Sequence, residues 1–126
     1  MPSSETHLSS ACQIVEAFNQ ALNLGDLEEM ARLLTSDTVF ENTYPAPDGT
    51  RYEGLKQVCT FWEDFFRNSN QAHFEIEELF GSDDRTVMRW RYAWENPGGG
   101  SDHIRGMDVY RVRDGRIAEK LSYVKG

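Results

Sequence analysis

Leu22-Asn23-Leu24-Gly25-Asp26-Leu27, followed by Leu33-Leu34-Thr35-Ser36-Asp37-Thr38-Val39-Phe40, carries the transition that organises this chain. Glycine suits the position just past a helix end, where φ turns positive, and aspartate suits the N-cap of a new helix. Upstream, Leu8, Cys12, Val15, Phe18, Ala21 and Leu22 recur at three- and four-residue intervals behind Ser9-Ser10, the stripe of an amphipathic helix with a serine cap. Asp26 then opens a short second helix with Leu27, Met30, Leu33 and Leu34 on its apolar face. Thr38 to Asn42, β-branched and aromatic, reads as the first strand.

Downstream, Tyr44-Pro45-Ala46-Pro47-Asp48-Gly49 is a loop, because two prolines and Asp-Gly continue neither helix nor strand. A third helix is predicted from about Gly54 to Arg67, with Leu55, Val58, Cys59, Trp62, Phe65 and Phe66 at helical spacing. Phe74 to Glu77 alternates as a strand, and Ser82-Asp83-Asp84-Arg85 turns the chain. Thr86 to Glu95 is the next strand, and Asn96 to Ser101 the connection after it. His103–Arg113 and Arg116–Val124 flank Asp114-Gly115, a hairpin turn. Helices on one face of an all-antiparallel, hairpin-joined sheet make an α+β domain, expected to span residues 1–126 as one unit. A chain of 126 residues is the size of one domain and carries neither repeat nor linker.

A formal net charge of −8 disfavours nucleic acid and anionic membrane as partners. Cys12 and Cys59 both fall in apolar helical patterns and read as reduced thiols. Met1 to His7 shows no basic segment followed by an apolar one, and no apolar run reaches the roughly 18 residues of a membrane span, so a cytoplasmic protein is expected. His7, His73 and His103 lack metal-ligand spacing, and Gly98-Gly99-Gly100 precedes no helix that could cradle phosphate. No metal or cofactor is implied.

The two quoted segments, with Gly106-Met107-Asp108-Val109-Tyr110-Arg111-Val112-Arg113-Asp114-Gly115-Arg116-Ile117, resemble the opening and the final hairpin of ketosteroid isomerases and SnoaL-like polyketide cyclases. Those families belong to the nuclear-transport-factor-two-like superfamily, and the resemblance runs from about Ile14 to Tyr123. It implies a cone, or cystatin-like roll, in which a curved sheet and about three helices enclose a pocket for a small apolar ligand. It also implies homodimerisation through the outer face of the sheet. On this reading Phe18, Phe40, Asn42, Tyr44, Trp62, Phe66, Trp90, Tyr92, Trp94, Tyr110 and Ser122 line the pocket beside Asp108. From the residues alone, Met88, Trp90, Tyr92 and Trp94 share one face of their strand, as solid core or as a pocket wall.

Asp108 stands in an otherwise apolar strand, on the face of Ile104, Gly106, Tyr110 and Val112. A carboxylate there must be paired, hydrogen-bonded or protonated. The resemblance implies an acid, since the matching isomerase aspartate donates a hydrogen bond to the substrate oxyanion. A structural ion pair with Lys120 on the neighbouring strand is the other reading. The rest of the isomerase machinery is replaced: Asn42 stands where the resemblance places the general base, and Phe18 where it places the oxyanion tyrosine. A limonene epoxide hydrolase is excluded likewise, because Ser122 stands at its final-strand aspartate and Thr86 to Trp94 holds no carboxylate. An isomerase- or cyclase-type enzyme with Asp108 as acid remains, against a non-catalytic ligand-binding or dimerisation module. Arg89, Arg91, Arg111 and Arg113 are expected on the outer sheet face beside Glu75, Glu77 and Glu119, and His103 is expected to face away from Asp108.

Overall fold

The computed structural model describes residues 9–69, 73–82 and 84–126. Helix α1, Ser10–Leu24, starts on Ser9, whose hydroxyl accepts from the Cys12 amide at 3.1 Å. It stops at Gly25, left-handed at φ 69°, whose amide returns to the carbonyls of Ala21 and Leu22. Helix α2, Leu27–Arg32, is capped by Asp26, which accepts from the Glu29 amide. Helix α3, Leu55–Asn68, follows Gly54. The predicted Leu8 of the first apolar stripe, His7 and Asp83 of the turn lie outside the described residues.

Six strands form one curved, open sheet in the order β2-β1-β6-β5-β4-β3. They are β1 (Leu34–Glu41), β2 (Arg51–Glu53), β3 (His73–Gly81), β4 (Thr86–Glu95), β5 (Ser101–Arg113) and β6 (Arg116–Val124). The α+β architecture and its three helices match the expectation, with three differences. Leu33 and Leu34 do not belong to α2, which ends at Arg32; Leu34 already pairs with Ile117 as the start of β1. The short strand β2 is additional, and it returns antiparallel along Val39–Glu41. The sheet is also not wholly antiparallel, because β1 runs parallel to β6. Hairpin strands β3 to β6 are antiparallel through their local turns, whereas β1 reaches β6 across the fold with no turn to set its direction. The Ile117 amide donates to the Leu33 carbonyl at 2.7 Å and Thr38 Oγ1 to the Ile117 carbonyl at 3.0 Å, bracketing the register shift between Leu34 and Val39.

The core lies between the helices and the concave face of the sheet. Val15, Phe18 and Leu22 of α1 meet Val58 and Trp62 of α3 over Phe40, Met88, Tyr110 and Ile117. Asn23 fixes β3 to α1: its Nδ2 donates to the Phe74 carbonyl and its Oδ1 accepts from the Phe74 amide, both at 2.8 Å. The convex face carries ion pairs at Arg89–Glu78 (2.9 Å), Arg105–Glu77 (3.0 Å) and Arg111–Asp84 (3.1 Å). Arg113 instead reaches Asp37 at 2.5 Å, and Arg91 sits opposite Glu75 in the strand register. Pairing with Arg113 holds the Asp37 carboxyl below its ordinary value.

Candidate functional site

Strand alternation puts every second side chain of β4, β5 and β6 on the concave face, and register decides which of them meet. Trp90 stands opposite Gly106, Met88 opposite Asp108, and Tyr92 opposite Ile104. Across the next interface Asp108 faces Ser122 and Tyr110 faces Lys120, while β1 sets Phe40 beside Lys120. Gly106 is required here: a Cβ on it would lie 2.5 Å from the Trp90 ring and 2.3 Å from the Tyr123 carbonyl. The indole therefore occupies the place a side chain at 106 would take, with an open space beside it.

That space is a cavity of about 320 Å³ between the sheet and α3. Its walls are aromatic. Phe74 and Tyr92 stack with centroids 4.4 Å apart, Trp90 meets Phe74 edge-on at 5.8 Å, and Phe61 meets Trp62 edge-on at 4.9 Å. Of the residues expected at a pocket, Phe40, Asn42, Tyr44, Trp62, Trp90, Tyr92, Asp108 and Ser122 lie on this wall. Burial raises the Tyr92 phenol above its ordinary range.

Four expected residues do not line it. Phe18 is fully buried one layer behind, edge-on to Phe40 at 5.9 Å and Trp62 at 6.5 Å. Phe66 faces a separate hollow at the end of α1, beside Leu22 and Gly25. Trp94 lies one step past the rim, its ring 5.3 Å from Tyr92. Tyr110 is buried beneath the floor, and burial followed by the Asp108 charge pushes its phenol well above its ordinary value. Tyr52, Phe61, Phe65, Phe74, Ile104 and Lys120 also line the wall, beyond the sequence-based expectation. Phe61 and Phe65 were findable, lying one position before and three after Trp62 on α3. Tyr52 was not, because β2 is too short to carry a pattern.

The polar end is a linked group. Asp108 is 3% exposed; its Oδ2 accepts from the Tyr110 hydroxyl at 3.1 Å and lies 3.5 Å from Lys120 Nζ. Lys120 Nζ donates to Ser122 Oγ at 3.0 Å and stands 5.3 Å and 5.5 Å from the ring centroids of Phe40 and Trp62. Asp108 Oδ1, Trp62 Nε1 and Trp90 Nε1 are buried and have no hydrogen-bond partner among the described residues. Asn42 Oδ1 is committed to the loop, accepting from the Thr50 amide at 2.7 Å and the Tyr44 amide at 3.3 Å. Glu41 reaches the rim, held by Arg51 at 2.7 Å. His103 is exposed on the convex side, within 3.3 Å of Arg105. No register shift occurs at Gly106 that would turn His103 inward.

A larger hollow, about 590 Å³, opens under the Pro47–Gly49 loop, but it is polar and its Arg51 is already paired with Glu41 and Glu53. The aromatic cavity is the better candidate, since it combines apolar walls with a few convergent polar groups. Among the described residues no cluster of His, Cys, Asp and Glu is placed to hold a metal, and no helix is long and apolar enough to cross a membrane.

Comparison with known proteins agrees with this architecture. A nuclear-transport-factor-two-like (NTF2-like) protein of unknown function from Mesorhizobium loti is 37% identical, with a TM-score of 0.77 over 93% of this chain and 92% of that one. A candidate polyketide cyclase from Sinorhizobium meliloti is 20% identical, with a TM-score of 0.74 over 88% and 94% of the two chains. A ketosteroid isomerase-like fold from Catenulispora acidiphila, solved with trimethylamine, is 16% identical, with a TM-score of 0.76 over 87% and 83%. No functionally curated protein matches the sequence. The family model for the SnoaL-like domain matches residues 15–120, and the chain belongs to that family.

Proposed function

We propose that this protein binds a small cyclic or aromatic molecule in the aromatic cavity, holding it by its polar end at Asp108, Lys120 and Ser122. The carrying observation is an aromatic-walled cavity whose lining also holds the linked group Asp108, Lys120 and Ser122. Trimethylamine bound to a protein of the same fold supports a ligand-binding role. Proton transfer through Asp108 is the second reading, favoured by its free Oδ1. Against its use as an acid stands the ion pair: an aspartate that accepts from Tyr110 and faces an ammonium is already serving as an acceptor.

One experiment separates binding from catalysis. Ligand-observed NMR with 2-indanone and 2-naphthol in D₂O should show saturation transfer from the protein, abolished by filling the cavity with Ile104→Trp. Catalysed loss of the α-proton signal of 2-indanone, absent in Asp108→Asn, would establish proton transfer. Saturation transfer without exchange leaves a binding protein, and neither signal would end the cavity reading.

The convex face is proposed as a homodimer interface. Met107 and Tyr123 are exposed there among the Arg–Glu pairs, and an open face of this kind suits a two-fold contact. Light scattering at micromolar concentration is expected to give twice the 14.5 kDa chain mass, and a monomer mass would refute it.

A further inference from the structure

The cavity's deep polar end contains one negative and one positive side chain, and both are largely shielded from water. The side chains of Asp108 and Lys120 are 4% and 11% exposed, with Oδ2 and Nζ 3.5 Å apart. Glu41, the remaining charged residue on the wall, is neutralised at the rim by Arg51. The deep end is thus charge-balanced as it stands.

The Lys120 ammonium also occupies a specific place. It lies within reach of the ring quadrupoles of Phe40 and Trp62, where a ligand cation would otherwise be held. A cationic guest would find that position taken by a like charge. An anionic guest would convert a balanced pair into a buried site of net negative charge, where the loss of hydration is poorly offset. The polar side chain left to meet a guest is Ser122, half-buried on the cavity wall. Ser122 Oγ accepts from Lys120, so its own hydrogen remains to be donated.

We infer that the Asp108–Lys120 pair is a charge filter, so that the cavity takes uncharged ring compounds carrying a hydrogen-bond acceptor, and rejects carboxylates and quaternary ammoniums of the same size. At about 320 Å³ the cavity is near the lower end of ligand sites, which fits one or two rings. The filter rests on the binding role proposed above.

Three matched probes test it by calorimetry: 2-naphthamide, 2-naphthoate and trimethyl(2-naphthylmethyl)ammonium. The wild type should bind the amide roughly tenfold more tightly than either ion, about 1.4 kcal/mol. Asp108→Asn is nearly isosteric and leaves the Lys120 charge uncompensated, so naphthoate should gain roughly tenfold relative to the amide. Lys120→Met leaves the carboxylate and bare ring faces, so the ammonium should gain instead; this variant is read once circular dichroism shows it folded, and Asp108→Asn decides the question alone otherwise. Equal binding of amide and naphthoate by the wild type, or no change of ranking in Asp108→Asn, overturns the filter while leaving a ligand-binding cavity. Failure of all three probes to bind the wild type overturns both the cavity's binding role and the filter.

Discussion

Trp62→Ala is expected to destabilise the protein by about 3–5 kcal/mol, the usual cost of replacing a buried tryptophan by alanine. Trp62 is 4% exposed and joins the two layers of the aromatic cluster. It meets Phe18 and Phe40 edge-on at 6.5 Å and 6.3 Å, and Phe61 and Phe65 edge-on at 4.9 Å and 5.2 Å. Removing the indole deletes contacts on both sides at once. The space left behind adjoins an existing cavity, so collapse of the surroundings is opposed by walls that already stand apart. The loss would be a large share of the 5–15 kcal/mol that holds a typical domain folded. Urea denaturation followed by circular dichroism measures it directly. A change below about 1 kcal/mol would mean that Trp62 is not an integral part of the core and that the α3 register is wrong.

The same residue shows which parts of the fold the sequence discloses. Helices α1 and α3 are legible because burial of a helix face writes a 3.6-residue period, and Gly25 with Asp26 marks a break by local backbone chemistry. Strands β4 to β6 are legible from alternation and from Asp114-Gly115, where φ is positive at both positions. The partnership of β1 with β6 is not, because no local pattern names a partner from the far end of the chain. Leu33 and Leu34 mislead for a related reason: two apolar residues continue a helical stripe as readily as they begin a buried strand.

The candidate site divides along the same line. Alternation indicates that Trp90, Tyr92, Asp108 and Ser122 share the concave face, and the described cavity contains all four. Depth below that face is not a property of the pattern. Phe18 and Tyr110 are fully buried instead of lining the cavity, Phe18 behind the rings of Phe40 and Trp62. Lys120 is the reverse case. Its sequence position makes it a partner for Asp108, but its place on the wall and over two aromatic rings depends on β1 pairing with β6, which brings Phe40 alongside it. The chemistry of the cavity's polar end therefore depends on the parallel β1–β6 contact, which local sequence does not announce.

Lys120→Met should be destabilising by about 3–5 kcal/mol, because it strands a buried carboxylate whose remaining Oδ2 partner is the Tyr110 hydroxyl. Methionine fills much of the volume of the lysine stem, so lost packing contributes little and the electrostatic consequence dominates. Adding Asp108→Asn to that variant removes the stranded charge. The double variant should then lie closer to the wild type than Lys120→Met alone, although it carries one more substitution. Such a reversal is a coupling energy, and a double-mutant cycle built on urea midpoints isolates it. An isolated surface pair would give at most about 1 kcal/mol for the whole cycle. Strict additivity, or a Lys120→Met cost below about 1 kcal/mol, would show that water reaches and screens the pair. Strong coupling would establish that Asp108 and Lys120 form one charge-balanced unit, the property on which the cavity's expected preference for uncharged ligands depends.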